Sequence, residues 1–314
     1  MVESRHRGTL AILDRSGDLV LGLGDVAAAT YPRSCAKPLQ LAAMLDAGLA
    51  QLGLPDEVLA VAAASHSGQA QHVTWVRRIL AAASLTEDDL DNTPGMPLDP
   101  AARRELTRAG QGPDRIHQNC SGKHAAMLAT ARANGWPTIG YRDPEHPVQR
   151  AIRERLEALS GEAPAAVTVD GCGAALFALS VRGLARAFWR LVTAPAGSAE
   201  ERVSEAMRAH PDLVGGEGRD VTALMRGVPG LLAKDGAEGV YAAAAADLGA
   251  VALKIEDGAG RARVPVLVAA LRHLDGTGGG LPDLAPLATG VVEGHGVPVG
   301  EIRAVSLGRR AAAN

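Results

Sequence analysis

The sequence predicts a mixed α/β fold in which an antiparallel sheet, flanked by helices, contains strands from both ends of the chain. Three observations support this prediction: an apolar hairpin near the N-terminus, helical patterns across the middle, and glycine-punctuated apolar runs in residues 227–260. Helices between strands at the two ends favour one sheet made from both termini. We find no internal repeat and no long linker, so we expect residues 1–314 to form a single domain.

The first half of the chain is predicted to be a hairpin followed by helices. Residues 8–24 contain two apolar segments around the turn RSGD, which is typical of paired strands. Ser34 precedes an apolar helical pattern that ends at Gly53, and a second helix is expected over about residues 71–84. Proline and glycine breakers make residues 86–118 loop-rich.

Further helices and a second group of strands follow. A helical pattern begins after Cys120 and ends at Gly135. With the other helical patterns, it predicts that residues 40–165, approximately, are mostly helical. A strand that ends in the turn DGCG is expected next, followed by a helix over residues 175–192. The apolar runs of residues 227–260 predict antiparallel strands. A helix, a glycine-rich loop and a final strand, EIRAVSL, close the chain.

Composition excludes several classes of function. The net charge is −3 and aromatic residues make up 3% of the chain, so no basic face with interleaved aromatics predicts nucleic-acid binding. No run of about eighteen apolar residues predicts a membrane span. The three cysteines are too few for a disulfide framework. We therefore expect a cytoplasmic protein that acts on a small molecule, with a homodimer as the usual oligomer.

Lysine is rare in this chain. The 32 basic residues include lysine only at Lys37, Lys123, Lys234 and Lys254, and the others are arginine. Arginine serves as well on a solvated surface, but it stays protonated and cannot act as a base. The four lysines are therefore candidates for chemistry, although Lys234 and Lys254 could also be ordinary residues of a strand edge.

Two short motifs contain a nucleophile three residues before a lysine. Ser34 and Lys37 lie at a predicted helix start and share a face. A lysine can activate a serine only where burial or a cationic neighbour favours the neutral amine. The motif S-x-x-K is weak alone, and the scarcity of lysine strengthens it. Ser65 lies in a polar turn, and Lys234 or Lys254 could project toward either serine.

The second motif contains sulfur. Cys120 and Lys123 repeat the spacing, and Cys172 lies between glycines beside Asp170. Two thiolates from separate segments could hold zinc with a nitrogen ligand, for which histidine would be the ordinary choice. The alternative is that both cysteines are small, buried apolar side chains.

Together these motifs resemble those of a known family. The segments are YPRSCAKPLQ, ASHSG, HQNCSGKHAAML, VDGCG, AKDGAEGVY, VALKIEDGAGRA and VGEIR. In this order, across roughly residues 7–307, they resemble the L-asparaginase II family, the Rhizobium-type asparaginases. That family is similar in fold to the serine β-lactamases, penicillin-binding proteins and glutaminases.

The resemblance implies hydrolysis of L-asparagine to L-aspartate and ammonia through two serine–lysine pairs. On this chain the pairs are Ser34 with Lys37 and Ser65 with Lys254. Which serine attacks stays open. Lys234, followed by Asp235, is similar to the lysine–Ser/Thr–glycine strand motif of β-lactamases, but the aspartate replaces the hydroxyl, so the role of Lys234 stays open too.

The resemblance also implies a Zn²⁺ site formed by Cys120, Lys123 and Cys172. Lysine would be the unusual nitrogen ligand, because an amine pressed against a cation loses its proton. Asp170 and His124 are the candidates for binding the substrate, with Asp170 expected at its α-amino group. Other readings stay possible: a glutaminase or other amidase of the same fold, a zinc-containing amino-acid-binding protein without turnover, and a thiol or redox protein.

Overall fold

The structure, a computed structural model, describes residues 1–276, 281 and 284–307. The strands are β1 (Gly8–Leu13), β2 (Leu19–Leu23), β3 (Ala29–Thr30), β4 (Val167–Val169), β5 (Ala175–Phe177), β6 (Leu179–Ser180), β7 (Leu232–Asp235), β8 (Val240–Ala245), β9 (Gly249–Ile255), β10 (Thr289–Gly294) and β11 (Val297–Arg303). The helices are α1 (Lys37–Asp46), α2 (Asp56–Ala62), α3 (Ala70–Ala82), α4 (Pro100–Arg108), α5 (Ser121–Ala133), α6 (Pro147–Ser160), α7 (Val181–Val192), α8 (Ala199–Ala209), α9 (Pro211–Val214), α10 (Asp220–Gly227), α11 (Arg263–Asp275) and α12 (Ala285–Ala288). Short 3-10 turns cover Arg33–Ala36, Leu49–Leu52, Glu87–Asp89 and Gly260–Ala262.

The main sheet has five antiparallel strands in the order β2-β1-β9-β8-β7. The N-terminal hairpin therefore joins strands from residues 232–255, and β1 pairs directly with β9. This confirms the predicted mixed α/β class and the predicted hairpin. The predicted helical centre is also confirmed, because helices α1 to α6 follow one another before β4 begins.

The last strand does not join this sheet, contrary to the expectation of a sheet that includes the end of the chain. β11 pairs with β10 in a separate two-stranded sheet. His295 and Gly296 connect them with positive φ angles of 52° and 75°, which suits a tight two-residue hairpin turn. Local pairing through such a turn closes a much shorter loop than pairing with the main sheet. Most of the predicted glycine-rich loop, residues 277–280, lies outside the described residues.

Two elements differ from the sequence prediction in the central part. Helix α4 forms inside the stretch expected to be loop-rich, because Asp99 caps it by accepting a 2.7 Å hydrogen bond from the Ala102 amide. The helix expected from residue 175 begins only at Val181. Residues before it form β5 and β6, and the Ser180 hydroxyl caps α7 by accepting from the Gly183 amide at 2.9 Å.

The buried core places the start of α1 against the edge of the main sheet. β8 is buried along its whole length and contributes four consecutive alanines, which leave room for α7 on its face. The Arg33–Ala36 turn packs against β7 and β8, and the Cys35 thiol donates to the Lys234 carbonyl at 3.0 Å. Within the described ranges, no helix is long and apolar enough to cross a membrane.

Candidate active site

The Ser34 turn leads straight into α1. Ser34 is half-buried, and its hydroxyl makes no hydrogen bond to any residue that the structure describes. The backbone N–H groups of Cys35 and Lys37 already donate to Pro32 and Ser34 carbonyls, so these two donors are not free to stabilise an oxyanion. Arg33, the residue before Ser34, has a φ of 50°, which is uncommon for a side chain of this size.

Lys37 is buried beside Ser65. Its side chain is 1% exposed, and its amine lies 2.5 Å from the Ala64 carbonyl, 3.1 Å from Ser65 Oγ and 3.4 Å from the Asn119 carbonyl. Burial lowers the pKa of Lys37; the nearby Cys120 opposes this effect, and the positive charges of Lys123 and Lys234 add to it. The amine is therefore driven toward its neutral form.

This arrangement suits proton transfer from Ser65. A neutral amine has two N–H groups, enough for the Ala64 and Asn119 carbonyls, and one lone pair that can accept the Ser65 O–H. Ser65 is 4% exposed, and its backbone N–H donates to the Val214 carbonyl at 3.1 Å. Lys37 is thus the amine within hydrogen-bond reach of Ser65.

Lys254 lies in a different environment. It is half-buried on β9, between Thr9 of β1 and Val240 of β8, and its amine donates to the Ile255 carbonyl at 2.5 Å. In the described part of the chain, the hydrogen bond of Ser65 Oγ to a lysine comes from Lys37 and not from Lys254. The structure therefore brings together the first lysine and the second serine of the two predicted pairs.

The three candidate zinc ligands lie together. Cys120 and Lys123 are at the start of α5, and the Lys123 amine lies 3.1 Å from Cys172 Sγ in the turn after β4. A hydrogen bond between the two thiols lowers the pKa of Cys172 to about 5 and raises that of Cys120 to about 12. Burial opposes the charge on Lys123, but the neighbouring Cys172, Cys120 and Asp170 outweigh it and raise the pKa of Lys123.

The chemistry of these donors fits zinc. Zn²⁺ prefers sulfur and nitrogen ligands in a closed, buried setting, and all three side chains are buried. Among the described residues, no three His, Cys, Asp or Glu side chains are grouped to hold a metal ion. A three-ligand site at this place therefore depends on the Lys123 amine.

Asp170 is paired with an arginine that sequence reasoning missed. Arg33 Nε donates to Asp170 Oδ1 at 2.9 Å, and the Gly171 amide donates to the same oxygen at 2.9 Å. Asp170 Oδ2 lies 3.8 Å from Cys172 Sγ. Burial opposes ionisation of Asp170, but Lys123, the Gly171 amide and Arg33 outweigh it and lower its pKa. The carboxylate links the Ser34 turn to the zinc candidates.

His124 is buried with one free ring nitrogen. The Tyr141 hydroxyl accepts from the Asp91 amide at 3.1 Å and lies 2.7 Å from His124 Nδ1, so it donates its proton there. Burial lowers the pKa of His124 well below its ordinary value, which leaves the neutral ring with its proton on Nε2. His124 Nε2 has no hydrogen-bond partner among the described residues.

His66 ties the Ser65 turn to the start of α5. Its Nδ1 accepts from the Gly68 amide at 3.2 Å, so Nε2 carries the proton and donates to Ser121 Oγ at 2.9 Å. The Ser121 hydroxyl donates in turn to the Ile116 carbonyl at 2.7 Å. The segment that carries Ser65 is thereby fixed to the helix that carries Lys123.

A second buried charge cluster approaches Ser65 from β7. The Lys234 amine donates to Asp235 Oδ1 at 2.6 Å, and Arg219 Nη2 donates to Asp235 Oδ2 at 2.7 Å. Arg219 Nη1 lies 3.5 Å from both the Ser65 carbonyl and Ser67 Oγ. No motif in the sequence marked Arg219, because it is one of 28 arginines in the chain.

The solved structures similar to this chain include crystal structures of Mglu in its native form, in its tris and glutamate form, and in one further structure. Each is 16% identical to this chain and covers 86% of it, with TM-scores of 0.46, 0.45 and 0.45. The chain covers 63%, 59% and 66% of the three Mglu chains, less than two thirds of their length. The comparison with curated proteins finds no match.

Comparison with protein families confirms the resemblance inferred from the motifs. The L-asparaginase II family matches residues 1–304. The match includes the Ser34 turn, the Ser65 turn, the start of α5, the Cys172 turn and β9. The chain therefore belongs to the L-asparaginase II family.

Proposed function

We propose that the protein is an amidohydrolase that converts L-asparagine to L-aspartate and ammonia. Family membership supports an amidohydrolase, and the contact between the Lys37 amine and Ser65 Oγ is the observation that carries the mechanism. A buried lysine without a carboxylate partner is suited to act as a base, because its neutral form is favoured.

In this proposal Ser65 is the nucleophile. Ser65 Oγ attacks the carbon of the side-chain amide while Lys37 accepts the hydroxyl proton. Lys37 then returns the proton to the leaving nitrogen, so ammonia departs and an ester to Ser65 remains. Water attacks the ester, again with Lys37 as proton acceptor, and L-aspartate and free Ser65 result. Each step conserves protons between Lys37, the serine and the departing groups.

The alternative nucleophile is Ser34, which is more exposed than Ser65. Trapping the acyl-enzyme at low pH and digesting it for mass spectrometry distinguishes the two, because Ser34 and Ser65 fall in different peptides. We expect the added mass on the Ser65 peptide. Modification of the Ser34 peptide alone would reverse the assignment and leave Ser65 as the relay to Lys37.

Lys254 is a secondary catalytic candidate, because the family resemblance pairs it with Ser65. Its amine is half-buried on the Ile255 carbonyl, so we assign it a smaller contribution than Lys37. In this proposal Lys254 assists at a site in which Lys37 is the base of Ser65.

Cys120, Lys123 and Cys172 would hold zinc. When bound, zinc would supply a fixed positive charge that orients the substrate or polarises its carbonyl. Asp170 would accept hydrogen bonds from the substrate's α-amino group, and the free His124 Nε2–H would donate to a substrate oxygen. These polar groups would position the amide for attack.

Ammonia release from L-asparagine by the zinc-loaded protein tests the proposal, with L-glutamine measured in parallel. We expect release from L-asparagine and a lower kcat/KM for L-glutamine. Faster release from L-glutamine would make the protein a glutaminase. No release from either substrate, by folded and zinc-loaded protein, would contradict the proposal and favour a zinc-containing amino-acid-binding protein.

A further inference from the structure

Two cationic side chains share one buried carboxylate at the end of β7. Lys234 and Asp235 are 0% and 6% exposed, and Arg219 reaches the same carboxylate from the loop before α10. Buried charges cost free energy unless they are paired, so an unequal set requires a reason. The set lacks one negative charge.

The surrounding residues do not supply that charge. Arg263 adds a third cation, which faces Asp220 at 3.8 Å and donates to the Gly236 carbonyl at 2.5 Å. Asp220 offsets that added cation, and the nearby Cys35 thiol is neutral because burial raises its pKa to about 12. Three cations therefore face two carboxylates.

Arg219 is the member that can reach a ligand. Its side chain is 25% exposed, so a small molecule can reach it. Its Nη1 makes only long contacts of 3.5 Å to the Ser65 carbonyl and Ser67 Oγ, while Nη2 is held by Asp235. A guanidinium held at one nitrogen keeps other N–H groups free for a carboxylate.

We propose that Arg219 binds the α-carboxylate of the amino-acid substrate beside Ser65, with Asp235 and Lys234 as the residues that position it. The inference rests on the proposed amidohydrolase function and names the part of the substrate that this side of the site recognises. A bound carboxylate balances the excess positive charge and takes up the loosely held N–H groups of Arg219.

Arg33 is the other arginine that could bind the α-carboxylate of the substrate, but its ion pair argues against this role. Its side chain is also 25% exposed, but it faces Asp170 in a one-to-one ion pair. That pair needs no further anion. The two arginines therefore predict opposite results when the substrate loses its carboxylate.

The test compares L-asparagine with 3-aminopropanamide, which keeps the amino group and the amide but lacks the carboxylate. We expect Arg219→Met to lower kcat/KM for L-asparagine by about 10- to 100-fold, the range for losing a charged hydrogen bond, and to leave that for 3-aminopropanamide nearly unchanged. Arg219→Lys should recover part of the lost kcat/KM for L-asparagine, because lysine restores the positive charge but not the two-pronged hydrogen bonding of the guanidinium. Equal losses on both substrates would overturn the proposal in favour of a structural role.

Two controls complete the design. Arg77→Met removes an exposed arginine that is paired with Glu87 on the surface. It should leave kcat/KM for both substrates unchanged. Arg33→Met should lower kcat/KM for both substrates by similar factors. A loss of kcat/KM for L-asparagine alone would assign the carboxylate to Arg33 and overturn the proposal.

A binding measurement separates this inference from the proposed function. If the wild-type protein hydrolyses neither substrate, the proposed function fails, and calorimetric titration of L-aspartate then tests the subsite alone. Weaker binding by Arg219→Met than by Arg77→Met would support the carboxylate site without catalysis. Equal binding by the two variants, or no binding by the wild-type protein, would overturn it.

Discussion

Lys37 and Lys123 occupy matching positions at the starts of two helices, but their pKa values shift in opposite directions. Each lies in the first turn of a helix and is 1% exposed. The Lys37 amine contacts two carbonyls and the Ser65 hydroxyl, and burial lowers its pKa. The Lys123 amine contacts Cys172 Sγ, and its neighbours outweigh burial and raise its pKa. Equal burial therefore yields a candidate base in one case and a cation or metal ligand in the other, because the partners differ.

The largest effect is expected from removing the base. Lys37→Met should lower kcat by about 1,000-fold or more, because general-base catalysis and activation of the serine are lost together. Lys37→Arg should not rescue the rate, since arginine stays protonated. Ammonia release measures the rate, and circular dichroism checks the fold. A folded Lys37→Met variant with near wild-type turnover would break the comparison.

Lys123→Arg tests the other half of the comparison. Arginine keeps the positive charge beside Cys172 but cannot ligate a metal, so we expect zinc affinity to fall by more than about 100-fold, beyond the effect usual for outer partners of a metal site. Elemental analysis and competition with a chromophoric chelator measure it. Lys254→Arg is the matched control, and it should retain zinc. Unchanged zinc content in Lys123→Arg would leave the lysine as a simple counter-ion.

The pH dependence of kcat/KM sharpens the role of Lys37. Protonated Lys37 cannot accept the serine proton, so kcat/KM should rise with pH and level off once the amine is neutral. Because the pKa of Lys37 is lowered, this plateau should begin below the ordinary lysine value of about 10.4. Lys234→Met removes a positive neighbour, which raises the pKa of Lys37 and moves the rise to higher pH. No movement in this variant would mean that Lys234 does not help to set the pKa of Lys37.

The smallest effect is expected at Lys254. Its amine contacts the Ile255 carbonyl of its own strand, so Lys254→Met should lower kcat by about 10-fold or less, below the range for losing a general base. The same ammonia assay measures it. A loss as large as that of Lys37→Met would show that Lys254 is the base of a second serine–lysine pair and that the partner of Ser65 changes when substrate binds.

Most of the fold could be predicted because its signals are local. The turn RSGD between apolar segments predicts β1 and β2, and the helical patterns predict α1, α3 and α5. Helix α4 was missed because its sequence is short and mostly polar and lies among proline and glycine breakers, although Asp99-Pro100 is a valid start signal. The placement of β11 depends on whether a strand pairs with its neighbour or with a distant sheet, which no local pattern records.

The site could be predicted in its residues more than in its contacts. The scarcity of lysine marked Lys37 and Lys123, and the structure places both among candidate nucleophiles or ligands. The spacing of Ser34 and Lys37 suggested that they act together, yet the Lys37 amine points to Ser65, which tertiary packing brings to it. Arg33 and Arg219 could not be singled out, because arginine is common in the chain and their carboxylate partners are distant in sequence.

The backbone at Arg33 has a consequence for engineering. A side chain at a φ of 50° carries conformational strain of about 1 kcal/mol that glycine would not. Arg33→Gly would relieve that strain while releasing Asp170 from its ion pair. The lost ion pair of the largely buried Asp170 outweighs that relief, so screens for heat resistance and screens for turnover should both favour arginine. Position 33 therefore keeps an unfavourable backbone angle because the ion pair needs the arginine side chain.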